Sequence, residues 1–360
     1  KAVKNTIKHG NMSTLNCPEE VYLAEKLISM HSWADMVRFA RSGGEANSIA
    51  IRIARASSQK DKVAICGYHG WHDWYLSVNL RGDNKLEKHL LSGLKPNGVP
   101  KDLKSTVFPF QYGNIDQLID ILSNNEIGTI KMEVCRNTEP DVEFLKKVRN
   151  LANKKNIILI FDECTSGFRK SFGGIHLNTG VNPDISIFGK ALGNGYAITS
   201  IIGKREIMES AQDSFISSTF WTERIGPSAA LKTLEIMEKL KSWEIITRAG
   251  ELVKKEWNNL AESHDIKIDQ WGISSLPGFT INSKYSLEYK TLITQEMLKK
   301  GYLSTNSIYL SICHTDKIIK RYIDNLSDVF YKISQCEKGN LDIFSLLNGP
   351  VCHSGFNRLN

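Results

Sequence analysis

The chain has 360 residues, 41% hydrophobic and 24% charged, enough for one large domain with a substantial core and a smaller one beside it. The formal charge of +7 comes from lysines spread along helical faces such as "EFLKKVRNLANKK", with acids interleaved elsewhere, which argues against nucleic acid and leaves small anionic molecules as ligands. No stretch approaches the roughly 18 apolar residues of a membrane span, "KAVKNTIKHG" lacks the apolar centre of a secretory signal, and seven scattered cysteines form no C-x-x-C pair, so a cytoplasmic protein with reduced thiols is expected.

Apolar positions recur at helical spacing in "EEVYLAEKLISM" and in "EANSIAIRIARA", where Ala46, Ile49, Ala50, Ile53 and Ala54 share one face. Short strand-like runs follow: "KVAICG", "TIKMEV", "IILIFD", "DISIFG" and "ITSIIG". With the helix "DVEFLKKVRNLANKK" between the second and third, they predict an α/β fold whose largely parallel sheet is covered on both faces. "RIGPSAALKTLEIMEKL" and "WEIITRAGELVKKEWNNLAES" then read as helices, with Pro227 tolerated near a helix start. After Asp265, short strands ("IKIDQW", "GFTINS") and two further helices read as a smaller α+β domain. The expected division is 1–245, 246–335 and a tail at 336–360, which has too few apolar residues for a core of its own and is expected to pack on the body or a partner.

Three features carry chemistry. Ser42, Gly43 and Gly44 stand directly before a helix, where free amides and the positive end of the helix dipole hold a phosphate, or where a serine merely caps. Asp162 and Glu163 end a buried strand at the edge where α/β proteins bind ligands, suited to holding a proton on a heteroaromatic nitrogen or to a structural ion pair. Lys190 ends the next strand against a glycine-rich turn, where an amine can form a Schiff base with an aldehyde or serve a structural role. His69 and His72 have no acid or thiol nearby to complete a metal set, and Trp71, Trp74 and Trp221 read as core or pocket wall.

Together with "GYHGWHDWY", "IILIFDECTSGFRKSFGG", "PDISIFGKALGNGYAITSIIGKREIM" and "YLSICHTDKIIKRYIDNL", these segments resemble the class III (fold-type I) pyridoxal-phosphate aminotransferases, within them the glutamate-1-semialdehyde aminomutase-like group. The resemblance runs from Val3 to about Ile333. It implies that Lys190 carries pyridoxal phosphate as a Schiff base and moves the substrate proton, and that Asp162 pairs with the protonated pyridine nitrogen. It also implies that Ser42, Gly43 and Gly44 bind the phosphate, that Tyr68 stacks on the ring with His69 beside it, and that Glu133 lies near the cofactor. Thr219 would reach the phosphate of a neighbouring subunit's cofactor, which predicts a homodimer with shared sites.

The reaction so implied moves an amino group between a small amino acid or amino-aldehyde and a carbonyl acceptor. Glutamate-1-semialdehyde 2,1-aminomutase is the alternative, and a catalytically silent dimeric paralogue the third reading. Two departures bear on the choice: Asn306 takes the place of an aminomutase glutamate, and the family segment that normally precedes "KAVKNTIKHG" is expected to be missing. The phosphate turn is Ser-Gly-Gly where the family has Ser-Gly-Thr or Ser-Gly-Ser, and "SGLKPNGVPKDL" reads as a shortened mobile lid with Gly93 and Gly98 as hinges, or as an ordinary surface loop.

Overall fold

The computed structural model describes residues 1–12, 14–81, 95–135 and 137–354. The chain divides into two compact units, Lys1–Cys135 with Pro140–Leu240, and Arg136–Glu139 with Lys241–Asn360. The break falls at Lys241, whose φ of +48° interrupts the helical backbone between Leu240 and Ser242.

In the first unit, α1 (Ala2–Lys8) and α2 (Pro18–Met30) precede a seven-stranded sheet. Its strands are β1 (Met36–Ala40), β2 (Lys62–Cys66), β3 (Val107–Pro109), β4 (Ile127–Glu133), β5 (Ile158–Asp162), β6 (Ile185–Phe188) and β7 (Thr199–Gly203), in the order β1-β7-β6-β5-β4-β2-β3. β3, β2, β4, β5 and β6 run parallel, and β7 is antiparallel to both its neighbours. The five anticipated strands all form. β1 and β3 were not anticipated, because β1 carries Arg38 in a run of five and β3 is three residues ending in Pro109, which suits an edge strand.

The central strands read as continuous apolar runs because both faces are covered. On one face Ala46, Ile49, Ala50, Ile53 and Ala54 of α3 (Gly43–Ser58) pack on Val63, Ile65, Ile160, Ile187 and Ile201. Each buried isoleucine there contributes about 1.5–3 kcal/mol. On the other, Leu23 and Leu27 of α2 join Phe39, Phe188, Ile202 and Leu234. The unit is completed by α4 (Asp73–Leu76), α5 (Ile115–Asn124), α6 (Val142–Lys155), α7 (Arg205–Met208) and α8 (Ile225–Leu240). Asp141 caps α6 by accepting the Phe144 N–H at 3.0 Å, and Asn156 ends it in the left-handed region, which makes α6 a clean crossover from β4 to β5. Because β2, β4, β5 and β6 are parallel, their C-terminal ends share one edge, at the point where strand order reverses.

The second unit holds α9 (Ser242–Ser263), the antiparallel pair β8 (Ile268–Trp271) and β9 (Gly278–Ile281), then α10 (Ser286–Lys299), α11 (Asp316–Glu337) and α12 (Ile343–Leu346). Its core gathers Trp257, Phe279, Tyr289, Leu292, Leu326 and Phe330, with Trp257 and Phe279 edge to face at 4.7 Å. Cys336 and Ile343, from the stretch read as a tail, are part of that core, and the Asn348 N–H donates to Gln295 Oε1 at 2.7 Å. Gly93 of the expected lid lies outside the described residues, and Gly98 has φ +87° in open space. Among the described residues no helix is long and apolar enough to cross a membrane.

Candidate active site

Asp162 is the last residue of β5 and is buried. Its Oδ2 accepts the His69 Nδ1–H at 2.9 Å and its Oδ1 accepts the Cys164 N–H at 3.1 Å, while Lys131 Nζ lies 3.8 Å from Oδ2. Burial alone would raise the Asp162 carboxyl, but the Lys131 ammonium and the His69 N–H outweigh it and hold the group well below the usual carboxylate range. His69 is pushed down to about 4, chiefly by burial and then by Lys131, so near neutral pH it is an uncharged donor toward Asp162.

Glu133 ends β4 directly beside Asp162 in register. One of its oxygens, Oε2, accepts the Tyr68 N–H at 3.0 Å, which ties the loop after β2 to the end of β4. The Tyr68 ring meets Tyr75 edge-on at 5.9 Å.

Lys190 follows the end of β6 through an extended Gly189. It has φ +43°, in the left-handed region that side chains avoid, and its Nζ donates to Thr165 Oγ1 at 2.6 Å. The turn beyond it closes tightly: the Asn194 N–H donates to the Lys190 carbonyl at 3.1 Å, and a Cβ on Gly193 would lie 2.1 Å from the Tyr196 carbonyl oxygen. Cys164 sits between these loops, its Sγ 3.4 Å from a Cβ built on Gly189 and 3.7 Å from one on Gly43. Burial, reinforced by Asp162, drives its thiol well above the ordinary value despite the fields of Lys131 and Lys190, so it stays protonated.

At the start of α3, Ser42 Oγ accepts the Glu45 N–H at 3.3 Å and Glu45 Oε2 accepts the Arg41 N–H at 2.8 Å. The first-turn amides of Gly43 and Gly44 have no intrahelical acceptor, so this helix start could take an anion. A Cβ on Gly44 would lie 2.7 Å from the His72 ring, which stacks on Trp71 with centroids 4.6 Å apart. That ring occupies the space a side chain at position 44 would need.

Sequence reasoning thus named residues from four strand ends and one helix start, and the fold delivers Tyr68, His69, Glu133, Asp162 and Lys190 to one sheet edge. Thr219 is different. It is exposed in the 3₁₀ turn Thr219–Thr222, which Arg41 Nη2 anchors by donating to the Trp221 and Glu223 carbonyls, both at 3.0 Å. Among the described residues no hydrogen bond links Thr219 to the other predicted site residues. Lys131, Cys164 and Thr165 were missed. A lysine in mid-strand in "TIKMEV" was the signal available for the first, and nothing local marks the other two.

Glu163 takes the structural reading offered for the acidic pair. Fully buried, it accepts from Ser166 Oγ at 3.2 Å, from the Ile175 N–H at 2.5 Å and from His176 Nδ1. Asn306, in the second unit, donates from Nδ2 to the Phe279 carbonyl at 2.8 Å.

The class III aminotransferase family model matches residues 1–306. The 3-aminobutyryl-CoA aminotransferase of Cloacimonas acidaminovorans (strain Evry) is 32% identical over 96% of this chain and 81% of its own length. A glutamate-1-semialdehyde 2,1-aminomutase of Methanocaldococcus jannaschii is 29% identical over 92% of this chain and 82% of its own. Among solved structures, the FumI protein of Sphingopyxis sp. MTA144, with pyridoxal phosphate, superposes with a TM-score of 0.84 at 20% identity, covering 96% of this chain and 82% of that one. An omega-transaminase from Sphaerobacter thermophilus gives 0.81 at 20%, covering 93% and 82%. The chain belongs to the class III aminotransferase family, and it is a pyridoxal-phosphate-dependent transaminase with the fold anticipated from its motifs.

The residues present fit that cofactor. His69 Nε2, His72 Nδ1 and Lys131 Nζ are buried polar atoms with no hydrogen-bond partner among the described residues. With an ionised acid, an amine and a glycine helix start, they form a donor set suited to a phosphorylated heteroaromatic aldehyde.

Proposed function

We propose that this chain transfers an amino group between a small amino acid or amino-aldehyde and a carbonyl acceptor, with Lys190 as the covalent and proton-carrying residue. The observation that carries the reading is the hydrogen bond from Lys190 to Thr165, made from a strained backbone, together with a buried, ionised Asp162 three residues before Thr165. When bound, pyridoxal phosphate supplies an aldehyde for an amine and a ring that withdraws electrons from the substrate carbon.

The protein's part is to bind, orient and move protons. The Gly43 and Gly44 amides at the positive end of α3 hold the phosphate. Asp162, oriented by the His69 and Cys164 N–H groups, keeps the ring nitrogen's proton in place. Tyr68 covers the ring from the loop that Glu133 anchors. Thr165 directs Lys190 Nζ, and that amine, when free, would carry a proton between the substrate carbon and the cofactor's C4′ carbon.

A homodimer with shared sites is part of this reading. What supports it is the exposed Thr219 turn, held out by Arg41, together with Phe215 at 88% exposure and Phe220 at 64%. The intermolecular reaction is preferred over the aminomutase because the position of the aminomutase glutamate holds Asn306, an uncharged amide engaged with the Phe279 backbone.

The test is to load the purified chain with pyridoxal phosphate, add amino donors singly, and follow conversion of the cofactor to its amine form by absorbance. Conversion is expected with at least one small donor and is abolished by Lys190→Ala. Wild-type protein that takes up no cofactor would sink the proposal. Turnover of glutamate-1-semialdehyde without a second acceptor would favour the aminomutase, and uptake with no half-reaction would favour the silent paralogue.

A further inference from the structure

Lys131 stands in the middle of β4, between β2 and β5, with no exposed surface. A lysine in such a place is costly unless its charge is matched. Its amine makes no hydrogen bond among the described residues, and its charged neighbour is Asp162, 3.8 Å away on the adjacent strand. In register, Lys131 lies opposite Ile160 and Glu133 opposite Asp162, so all four side chains share one sheet face and Lys131 reaches Asp162 diagonally.

Taking the site as one for pyridoxal phosphate, we propose that Lys131 is a positioning residue acting through Asp162: its ammonium shares that carboxylate with the cofactor's ring nitrogen and limits how tightly the nitrogen keeps its proton. The titratable groups facing the pair come from each neighbouring strand. Behind β2, His69 is neutral and donates to the same Oδ2. After β5, Cys164 stays a thiol. On β4, Glu133 is the second acid whose field reaches Lys131, and Lys190, after β6, lies near Cys164.

Asp162 therefore meets the ring nitrogen already paired with one cation. Burial pulls Lys131 down from the ordinary ammonium value while Asp162 opposes it, and Asp162 itself stays ionised. A protonated ring nitrogen would be a second cation on one carboxylate, and a neighbouring like charge lowers its proton affinity, here taken as roughly the 1–3 pH units that one nearby charge contributes. Lys131 would thus set how strongly the ring draws electrons, without touching substrate.

The experiment loads the full chain with pyridoxal phosphate carrying ¹⁵N in the ring and follows the nitrogen resonance against pH. Wild type, Lys131→Met and Lys131→Gln are compared, with folding checked by circular dichroism. Both variants remove the charge, and glutamine keeps a donor. The expected result is an upward move of the protonation midpoint by roughly 1–3 units in both, with cofactor binding near neutral pH tightened about tenfold per unit. A folded variant with the wild-type midpoint overturns the proposal. So does a wild-type nitrogen that keeps its proton to the alkaline limit of stability, a result that needs no variant. Failure of the functional reading shows separately, as wild-type protein with no cofactor on Lys190 after borohydride reduction and peptide mapping.

Discussion

The Lys190 amine donates to the Thr165 hydroxyl at 2.6 Å, so the turn after β5 aims the residue that ends β6. Thr165 is buried, which leaves water little chance to replace it. Thr165→Val preserves shape and removes the acceptor. A hydrogen bond to an amine of this kind is worth about 1.5–3 kcal/mol, so the half-reaction rate is expected to fall about 10- to 100-fold, with a small change in melting temperature. Single-turnover absorbance measures it, and an unchanged rate would show that Thr165 does not orient the lysine.

Two glycines of the same turn are expected to differ. A Cβ at Gly193 would stand 2.1 Å from the Tyr196 carbonyl oxygen, a backbone atom with nowhere to go, whereas Gly195 has open space and only its φ of +101° against it. Gly193→Ala should cost about 3 kcal/mol or more and displace Lys190, while Gly195→Ala should cost about 1–2 kcal/mol. Urea denaturation of the pair, with cofactor uptake, decides whether that ranking holds.

Glu163 is the anionic centre of a buried set of donors from Ser166, Ile175 and His176, and Trp33 Nε1 in turn donates to His176 Nε2 at 2.9 Å. In Glu163→Gln an amide NH₂ must face some of those donors, and the loss is expected to be about 3 kcal/mol. Because the set braces the chain just past Asp162, cofactor affinity should weaken as well. A variant as stable as wild type would show that the Glu163 charge is not what holds those donors.

His31 and His69 are both buried and both pushed down to about 4 from 6.5, burial being the main cause in each. His31 must be neutral to work: its Nδ1–H donates to the Leu27 carbonyl at 2.8 Å while its Nε2 accepts the Gly174 N–H at 3.0 Å. Between about pH 4 and 6.5 the unfolded chain binds these protons and the folded one does not. Their contribution, on the order of 3 kcal/mol each, is fully present above pH 6.5 and lost as pH falls toward 4. Melting temperature measured across that window should drop steeply on acidification. Imidazole NMR signals of His31 and His69 that titrated near their ordinary value would rule out these two side chains as the source of the drop.

Much of the site was legible from residue type and position. Asp162 and Lys190 each follow a short apolar run that ends at the sheet edge where α/β proteins bind ligands, while the adjacent Glu163 serves a structural set instead. The helix start at Ser42 was legible because Ser-Gly-Gly stands directly before a periodic apolar stretch, and the structure adds the reciprocal bonds of Ser42 and Glu45. β1 and β3 were not legible, since their lengths and patterns fall short of a strand signal until a neighbour supplies the hydrogen bonds.

The sequence by itself determined the family and the order of elements apart from β1 and β3, because periodicity and turn residues act over a few positions. Only the tertiary structure decided that Lys131 faces Asp162, that Thr165 receives the Lys190 amine, that the His72 ring fills the place beside Gly44, and that Thr219 stands exposed on its turn. Each of those depends on the register between strands and on where a loop folds back, and such contacts join residues whose separation along the chain leaves no local trace.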